Sequence, residues 1–167
     1  MLHLVTGCMF AGKTTSLVNT YNKLKERSNK ILVIDYDINQ SNTMFTTLLH
    51  THDNITIPCI KMNHLNIEYT YYDCILVNEA QFFNGLYEFV KKAIEDNKHV
   101  YVYALDGDFQ QQKFGEITDL IPLCDTYEKL YAKCDCGHKA SFSKRLSENK
   151  MQFLPNDKYI PVCRSCL

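Results

Sequence analysis

The stretch LHLVTGCMFAGKTTSLVNTYNKLKER, residues 2–27, decides the fold of this chain. Its first segment, Leu2–Thr6, is mostly apolar and predicts a short buried strand. From Lys13 onward, apolar side chains recur at helical spacing, which predicts an amphipathic helix; they are Leu17, Val18, Tyr21 and Leu24. A glycine-rich loop joins the two elements, so the stretch predicts a strand–loop–helix unit of an α/β fold.

The loop itself, GCMFAGKT, has the spacing of a phosphate-binding loop, with four residues between Gly7 and Gly12. Backbone N–H groups in such a loop surround phosphate oxygens, Lys13 adds a positive charge, and the Thr14 hydroxyl can ligate Mg²⁺. A chance glycine-rich turn is the alternative, but the flanking strand and helix favour a site for ATP with Mg²⁺. The expected phosphate- and ATP-binding residues are Gly7, Cys8, Met9, Phe10, Ala11, Gly12, Lys13, Thr14, Thr15, Asn78 and Gln81.

Further apolar runs alternate with a second amphipathic helix along the chain. Strands are predicted at Lys30–Asp35, Asp73–Asn78 and His99–Leu105, with another possible at Thr126–Lys133, and a helix after an N-cap at Asn84. Residues 36–72 are polar and irregular, and no element is assigned to them. The pattern predicts an α/β domain with a mostly parallel sheet, whose ligands bind beyond the carboxyl ends of the strands.

The composition is that of an ordinary globular domain, with 46% hydrophobic residues, 22% charged residues and a net charge of −1 over 167 residues. This charge gives no long-range attraction to nucleic acid or an anionic membrane. The phosphate-loop motif begins at residue 7, which leaves no room for a signal peptide, and no run reaches the roughly 18 apolar residues of a membrane span. We therefore expect a cytoplasmic protein without membrane or nucleic-acid partners.

The eight cysteines fall into two groups. Four are scattered in apolar context and are expected in the core: Cys8, Cys59, Cys74 and Cys124. The other four form a C-x-C and a C-x-x-C pair and are expected to bind a structural Zn²⁺: Cys134, Cys136, Cys163 and Cys166. Free thiols, a disulfide, or a zinc ribbon that contacts nucleic acid are the alternatives, although no basic stripe supports the last.

The third predicted strand ends on Asn78, and Glu79 follows at once. Glu79 lies where a general base could take the proton of a hydroxyl that attacks the γ-phosphate of ATP. The alternative is that Glu79 only pairs with Lys13 or caps the next helix. Many phosphate-loop proteins have an aspartate where Asn78 stands, so we expect Asn78→Asp to tighten the Mg²⁺ dependence and raise kcat.

Taken together, the motifs GCMFAGKT, NEAQFF, ALDGDFQ, ASFSKRL and DKYIPVCRSC resemble the cytosolic-type, zinc-containing thymidine kinases. The resemblance implies a RecA-like ATP-binding domain at 1–132 and a small zinc domain at 133–167, assembled as a homotetramer. It implies transfer of the γ-phosphate of ATP to the 5′-hydroxyl of thymidine, feedback inhibition by dTTP, and Glu79 and Lys13 as catalytic residues. The residues that it implies at the nucleoside are Met9, Leu105, Phe109, Phe114, Phe142 and Tyr159. The segment between the cysteine pairs would be a "lasso" that covers thymidine.

The chain departs from this family pattern near the expected phosphates. Asn39-Gln40-Ser41 stands where the family has an acid and an arginine, and Asn78 stands in place of an aspartate. A weakened kinase, a site completed by other residues and a deliberate mutation all remain open. Two other functions also remain: a regulatory nucleotide-binding relative with weak catalysis, and an ATPase whose zinc ribbon contacts nucleic acid.

Overall fold

A computed structural model describes residues 1–27, 29–39, 44–51 and 54–167. The helices are α1 (Lys13–Glu26) and α2 (Leu86–Glu95), and the strands of the main sheet are β1 (Leu2–Gly7), β2 (Ile31–Tyr36), β3 (Phe45–His50), β4 (Thr56–Met62), β5 (Cys74–Asn78), β6 (His99–Ala104) and β7 (Thr126–Leu130). Their order is β3-β4-β2-β5-β6-β1-β7, and every neighbouring pair is parallel except β3 with β4. The expected α/β fold with a mostly parallel sheet is confirmed.

Both faces of the sheet are buried, because successive residues of a strand point to opposite sides. Leu32 and Ile75 face a cluster that includes the apolar side of α2, whereas Val33 and Leu76 face a cluster that includes the apolar side of α1. β5 is buried along its whole length. A strand covered on both faces needs an unbroken apolar run, which is the pattern that the sequence has there.

Two local predictions need correction. The residue at the N-cap position of α2 is Gly85, in the left-handed region with φ 73°, and not Asn84. The carboxylate of Glu116 accepts hydrogen bonds from the N–H groups of Gly85 (3.0 Å) and Tyr87 (2.7 Å), so a residue distant in sequence caps this helix. The unassigned segment 36–72 contains β3 and β4, which pair antiparallel at the edge of the sheet.

The C-terminal part adds two small sheets, made of β8 (Ala132–Lys133) with β9 (Lys139–Ala140) and β10 (Phe142–Arg145) with β11 (Tyr159–Val162). Its apolar cluster includes Cys134, Ala140 and Val162, and Cys8 of the phosphate loop packs into the same cluster. The division into domains at residue 132 stays a prediction. In the described part of the chain, neither helix has the length and apolar character needed to cross a membrane.

Candidate active site

A cavity of about 340 Å³ opens at the carboxyl edge of the sheet. The phosphate loop, the segments after β5 and β6, and the segment between β10 and β11 all line it. It brings together most of the residues expected from the sequence, namely Met9, Phe10, Gly12, Lys13, Thr14, Thr15, Glu79, Gln81, Leu105, Phe109, Phe114 and Tyr159. Gly7, Cys8, Ala11, Asn78 and Phe142 do not line it.

The phosphate loop leads directly into α1. Gly12 precedes the helix with φ 83°, a left-handed conformation that glycine adopts without steric cost. Lys13 is buried, and its Nζ donates a hydrogen bond to the Cys8 carbonyl at 2.8 Å. Burial lowers the pKa of Lys13, while the charge of Glu79 acts in the opposite direction. The loop therefore combines a helix N-terminus with a nearby cation, which is the arrangement that binds phosphate oxygens.

Glu79 has a strained backbone and a fixed side chain. Its φ is 50°, in the left-handed region that non-glycine residues seldom occupy and that is often found at functional sites. The Gln81 amide donates a hydrogen bond to the Glu79 carboxylate at 2.6 Å. The Gln81 oxygen in turn accepts a hydrogen bond from the N–H of Leu105 at 3.0 Å, so both ends of this amide are engaged. The carboxylate is thereby oriented at the cavity wall.

Asn78 lies beside an acid on the neighbouring strand. Asp35 and Asn78 are register partners at the carboxyl ends of β2 and β5, and the Asn78 amide donates to the Asp35 carboxylate at 2.8 Å. Lys61 approaches the other oxygen of Asp35 at 3.5 Å. Burial raises the pKa of Asp35, and the hydrogen bond from Asn78 lowers it. The Asn78 amide therefore binds a buried carboxylate, and an aspartate at position 78 would lack the N–H donor that makes this hydrogen bond. The other departure from the family pattern is Asn39-Gln40-Ser41. Of these three residues, Gln40 and Ser41 lie outside the part of the chain that the structure describes.

One wall of the cavity is more aromatic than the sequence predicted. Phe82 contacts Phe114 and Phe153, with ring centroids 5.3 and 4.5 Å away, and all three rings line the cavity. Of the two adjacent rings Phe82 and Phe83, only Phe83 is in the core, whereas Phe82, at the end of the short 3-10 turn Ala80–Phe82, lines the cavity. Such a wall suits a flat, weakly polar ring system.

Phe142 and Cys8 line a smaller cavity of about 160 Å³ beside the first. Phe142 contacts the guanidinium of Arg164 and packs against the C-terminal cluster. Its neighbour Ser143 lines both cavities. The Ser143 hydroxyl accepts a hydrogen bond from the N–H of Met9 at 2.9 Å. The phosphate loop is thus bonded directly to β10.

The four clustered cysteines come together as expected. The Sγ atoms of Cys134, Cys136, Cys163 and Cys166 all lie within 4.8 Å of one another. Cys136 Sγ is 3.4 Å from Cys134 Sγ and 3.5 Å from Cys163 Sγ. The edge of a tetrahedral zinc–thiolate site is about 3.8 Å, so the donor set and spacing fit such an ion. Backbone hydrogen bonds from Cys136 and Cys163 lower the pKa of Cys134 to about 6, which favours the thiolate that metals bind.

The fold and the site define a P-loop protein with a cysteine cluster that can hold a metal ion such as zinc. Comparison with known families agrees, because the thymidine kinase family model matches residues 1–167. The chain is 37% identical to a thymidine kinase of Oryza sativa subsp. japonica over 98% of this chain and 64% of the rice protein. It is 35% identical to a thymidine kinase of Myxoma virus (strain Uriarra) over 99% of this chain and 94% of the viral one. With the cytosolic thymidine kinase of Cricetulus griseus, identity is 34% over 99% of this chain and 72% of the relative.

This chain belongs to the thymidine kinase family. Membership confirms the resemblance drawn from the motifs and the expected activity, phosphorylation of thymidine. Sequence reasoning had missed Tyr36, Phe82, Gln152 and Phe153 at the cavity. Phe82 lies inside the NEAQFF motif and could have been found there, whereas the other three lie outside the motifs.

Proposed function

We propose that the chain transfers the γ-phosphate of ATP to the 5′-hydroxyl of thymidine with Glu79 as general base. The observation that supports this most is that one cavity holds the start of α1, the Glu79 carboxylate and an aromatic wall. The phosphate loop would bind ATP, and the aromatic wall would hold the thymine ring. Glu79 would then stand between the two substrates, where the transferred group must pass.

In the proposed step, the 5′-oxygen of thymidine attacks the γ-phosphorus and the bond to the β-phosphate oxygen of ATP breaks. Glu79 accepts the hydroxyl proton, and ADP leaves with the electron pair of the broken bond. Gln81 keeps the Glu79 carboxylate oriented through the 2.6 Å hydrogen bond. Lys13 stabilises the charge that develops on the phosphate oxygens, which is most effective in a partly water-excluded site.

Two metal ions belong to the proposal. Mg²⁺ would neutralise phosphate charge, and the Thr14 hydroxyl at the start of α1 is the kind of hard oxygen ligand that Mg²⁺ prefers. Zn²⁺ would be held by all four clustered cysteines, which leaves no open position for catalysis. Its role would be structural, because the C-terminal part has only a small apolar cluster of its own.

The remaining features rest on the family resemblance. We propose feedback inhibition by dTTP, assembly as a homotetramer and a cytoplasmic location. Exposed apolar side chains on the edge strand β3, Phe45 and Leu48, suit a contact with another subunit. The eight cysteines form no disulfide with one another, which suits a reducing compartment. Light scattering of the purified protein tests the tetramer, and dTTP titration of the kinase assay tests the inhibition.

Two substitutions test the assigned roles. Lys13→Ala and Glu79→Gln should each lower kcat for thymidine phosphorylation at least about 100-fold, a typical contribution of a positioned base or phosphate-binding charge. Glu88→Gln, on the exposed side of α2, is the matched control and should leave kcat unchanged. Circular dichroism verifies that each variant is folded. Full activity in Glu79→Gln would remove Glu79 as the base.

A further inference from the structure

Arg145 is a buried cation outside the phosphate site. It lies at the end of β10, and its side chain is completely removed from solvent. A buried guanidinium is costly unless its charge and its N–H groups all have partners. Its partners therefore indicate what this residue holds in place.

Most of these partners are backbone carbonyls of one segment. Nη1 donates hydrogen bonds to the carbonyls of Asn149 (2.7 Å) and Met151 (2.5 Å), and Nη2 donates to that of Gln152 (3.4 Å). Nε lies 3.1 Å from the Asp157 carboxylate. We call residues 149–157 the strap. One side chain thus fixes both ends of the strap.

The same guanidinium also contacts two rings of the nucleoside side of the cavity. It lies 4.0 Å from the ring centroid of Phe109 and 5.1 Å from that of Tyr159, and it donates to the Tyr159 hydroxyl. Both rings line the cavity. Stacking on an aromatic face is favourable for a planar, weakly hydrated guanidinium.

The strap in turn supplies part of the cavity wall. Phe153 contacts Phe82, and the Gln152 amide donates to the Asp108 carboxylate at 2.9 Å and to the Lys113 carbonyl at 3.1 Å. Gln152 and Phe153 both line the cavity. The strap is therefore joined to the loop after β6 on one side and to Arg145 on the other.

We infer that Arg145 is a positioning residue for the nucleoside: it holds the strap and two aromatic rings around that part of the cavity without contacting the phosphates. This inference rests on the proposed function. A lysine cannot replace it, because an ammonium lacks the planar set of donors that reaches several carbonyls and does not stack in the same way. The substitution Arg145→Lys keeps the charge and removes this geometry.

The test compares Arg145→Lys with Arg164→Lys, the same chemical change at a guanidinium that stacks on Phe142 outside the larger cavity. For Arg145→Lys, KM for thymidine should rise at least tenfold while KM for ATP stays within twofold of the unchanged protein. Trypsin cleavage after Lys150, an exposed strap residue, should become at least tenfold faster. Saturating thymidine should slow that cleavage in the unchanged protein and much less in the variant. Arg164→Lys should behave like the unchanged protein in all these measurements.

The inference would be overturned if Arg145→Lys changed KM for thymidine and KM for ATP equally. It would also be overturned if KM for thymidine and the rate of strap cleavage stayed at the values of the unchanged protein. If Arg145→Lys does not fold, the variant Asp157→Asn tests the inference instead. It weakens the ion pair between Arg145 and the strap with little change in side-chain shape. It should raise KM for thymidine two- to fivefold and leave KM for ATP unchanged, and no change in either would count against Arg145. If the unchanged protein does not phosphorylate thymidine, the proposed function fails, while the cleavage rate without nucleoside still tests the hold of Arg145 on the strap.

Discussion

The substitution Asn78→Asp should destabilise this protein, although it restores the residue that the family pattern favours. The Asn78 amide donates to the buried Asp35 carboxylate at 2.8 Å. An aspartate at position 78 removes that donor and puts a second carboxylate oxygen in its place. The expectation from sequence that this substitution raises kcat stays a prediction, and the structure adds to it an expected loss of stability.

The size of the effect follows from the geometry. Two unit charges 2.8 Å apart repel by roughly 6 kcal/mol at an effective dielectric constant of about 20. The pair can instead take up a proton, which at pH 7 costs roughly 4 kcal/mol for a carboxyl with an ordinary pKa of about 4. The cheaper route, uptake of a proton, sets the limit, and the hydrogen bond that the protonated carboxyl donates to its partner offsets a part of that cost. We expect a loss of about 3 kcal/mol in the free energy of unfolding at pH 7.

The loss of stability in Asn78→Asp should grow as pH rises. The folded variant holds a proton that the unfolded chain releases above a pH of about 4, so its stability falls as pH rises through the range from about 5 to 8. The slope approaches about 1.4 kcal/mol per pH unit, and the loss at pH 5 should be only about 1 kcal/mol. Burial already raises the pKa of Asp35 in the unchanged protein. The stability of the unchanged protein should therefore also fall as pH rises, but more weakly.

Urea unfolding at pH 5, 6, 7 and 8 measures this directly. The matched control is Asp35→Asn with Asn78→Asp, which reverses the hydrogen bond and keeps one acid in the pair. That double variant should recover most of the stability, and it is the version in which an acid at position 78 can be tested for Mg²⁺ dependence and kcat. Unchanged stability in Asn78→Asp at every pH would refute the reasoning.

Two further predictions concern a glycine and the cysteine cluster. Gly115→Ala should cost about 2 kcal/mol in unfolding free energy and lower kcat at least tenfold, because its Cβ would collide with the carbonyl of Gln81 at φ 58°. Gly137→Ala has positive φ without a collision and should leave kcat unchanged in the same assay, so equal losses would contradict this explanation. Cys166→Ser should lower zinc content and weaken ATP binding in calorimetry, since the phosphate loop is hydrogen-bonded to β10. Cys124→Ser, outside the cluster, should change neither, and unaltered ATP affinity in a zinc-free Cys166→Ser would argue against the coupling.

Local patterns in the sequence predicted the parts of the site that local structure creates. The phosphate loop, the strand that ends at Asn78 and the cysteine pairs each lie within a few adjacent residues, so spacing alone indicates their chemistry. The helical spacing of Leu17 and Leu24 likewise places them in the core against the sheet.

Features made by distant residues were not predictable in this way. Glu116 caps α2, and Asp35 pairs with Asn78 only because β2 and β5 are neighbours in register. Phe153 lines the cavity and follows two residues whose carbonyls accept hydrogen bonds from Arg145, and no spacing rule reveals those bonds. β3 and β4 were missed because β3 is an edge strand with mostly exposed residues and because Pro58 and Lys61 interrupt the apolar pattern of β4.

The central claim is that one cavity joins ATP and thymidine for direct phosphoryl transfer. Incubating the purified protein with Mg²⁺, ATP and thymidine, with both products quantified by mass spectrometry, tests it most directly. The account predicts equal amounts of ADP and thymidine 5′-monophosphate, and negligible ADP when thymidine is left out. ADP that forms without thymidine, or no turnover with any deoxynucleoside, would contradict it.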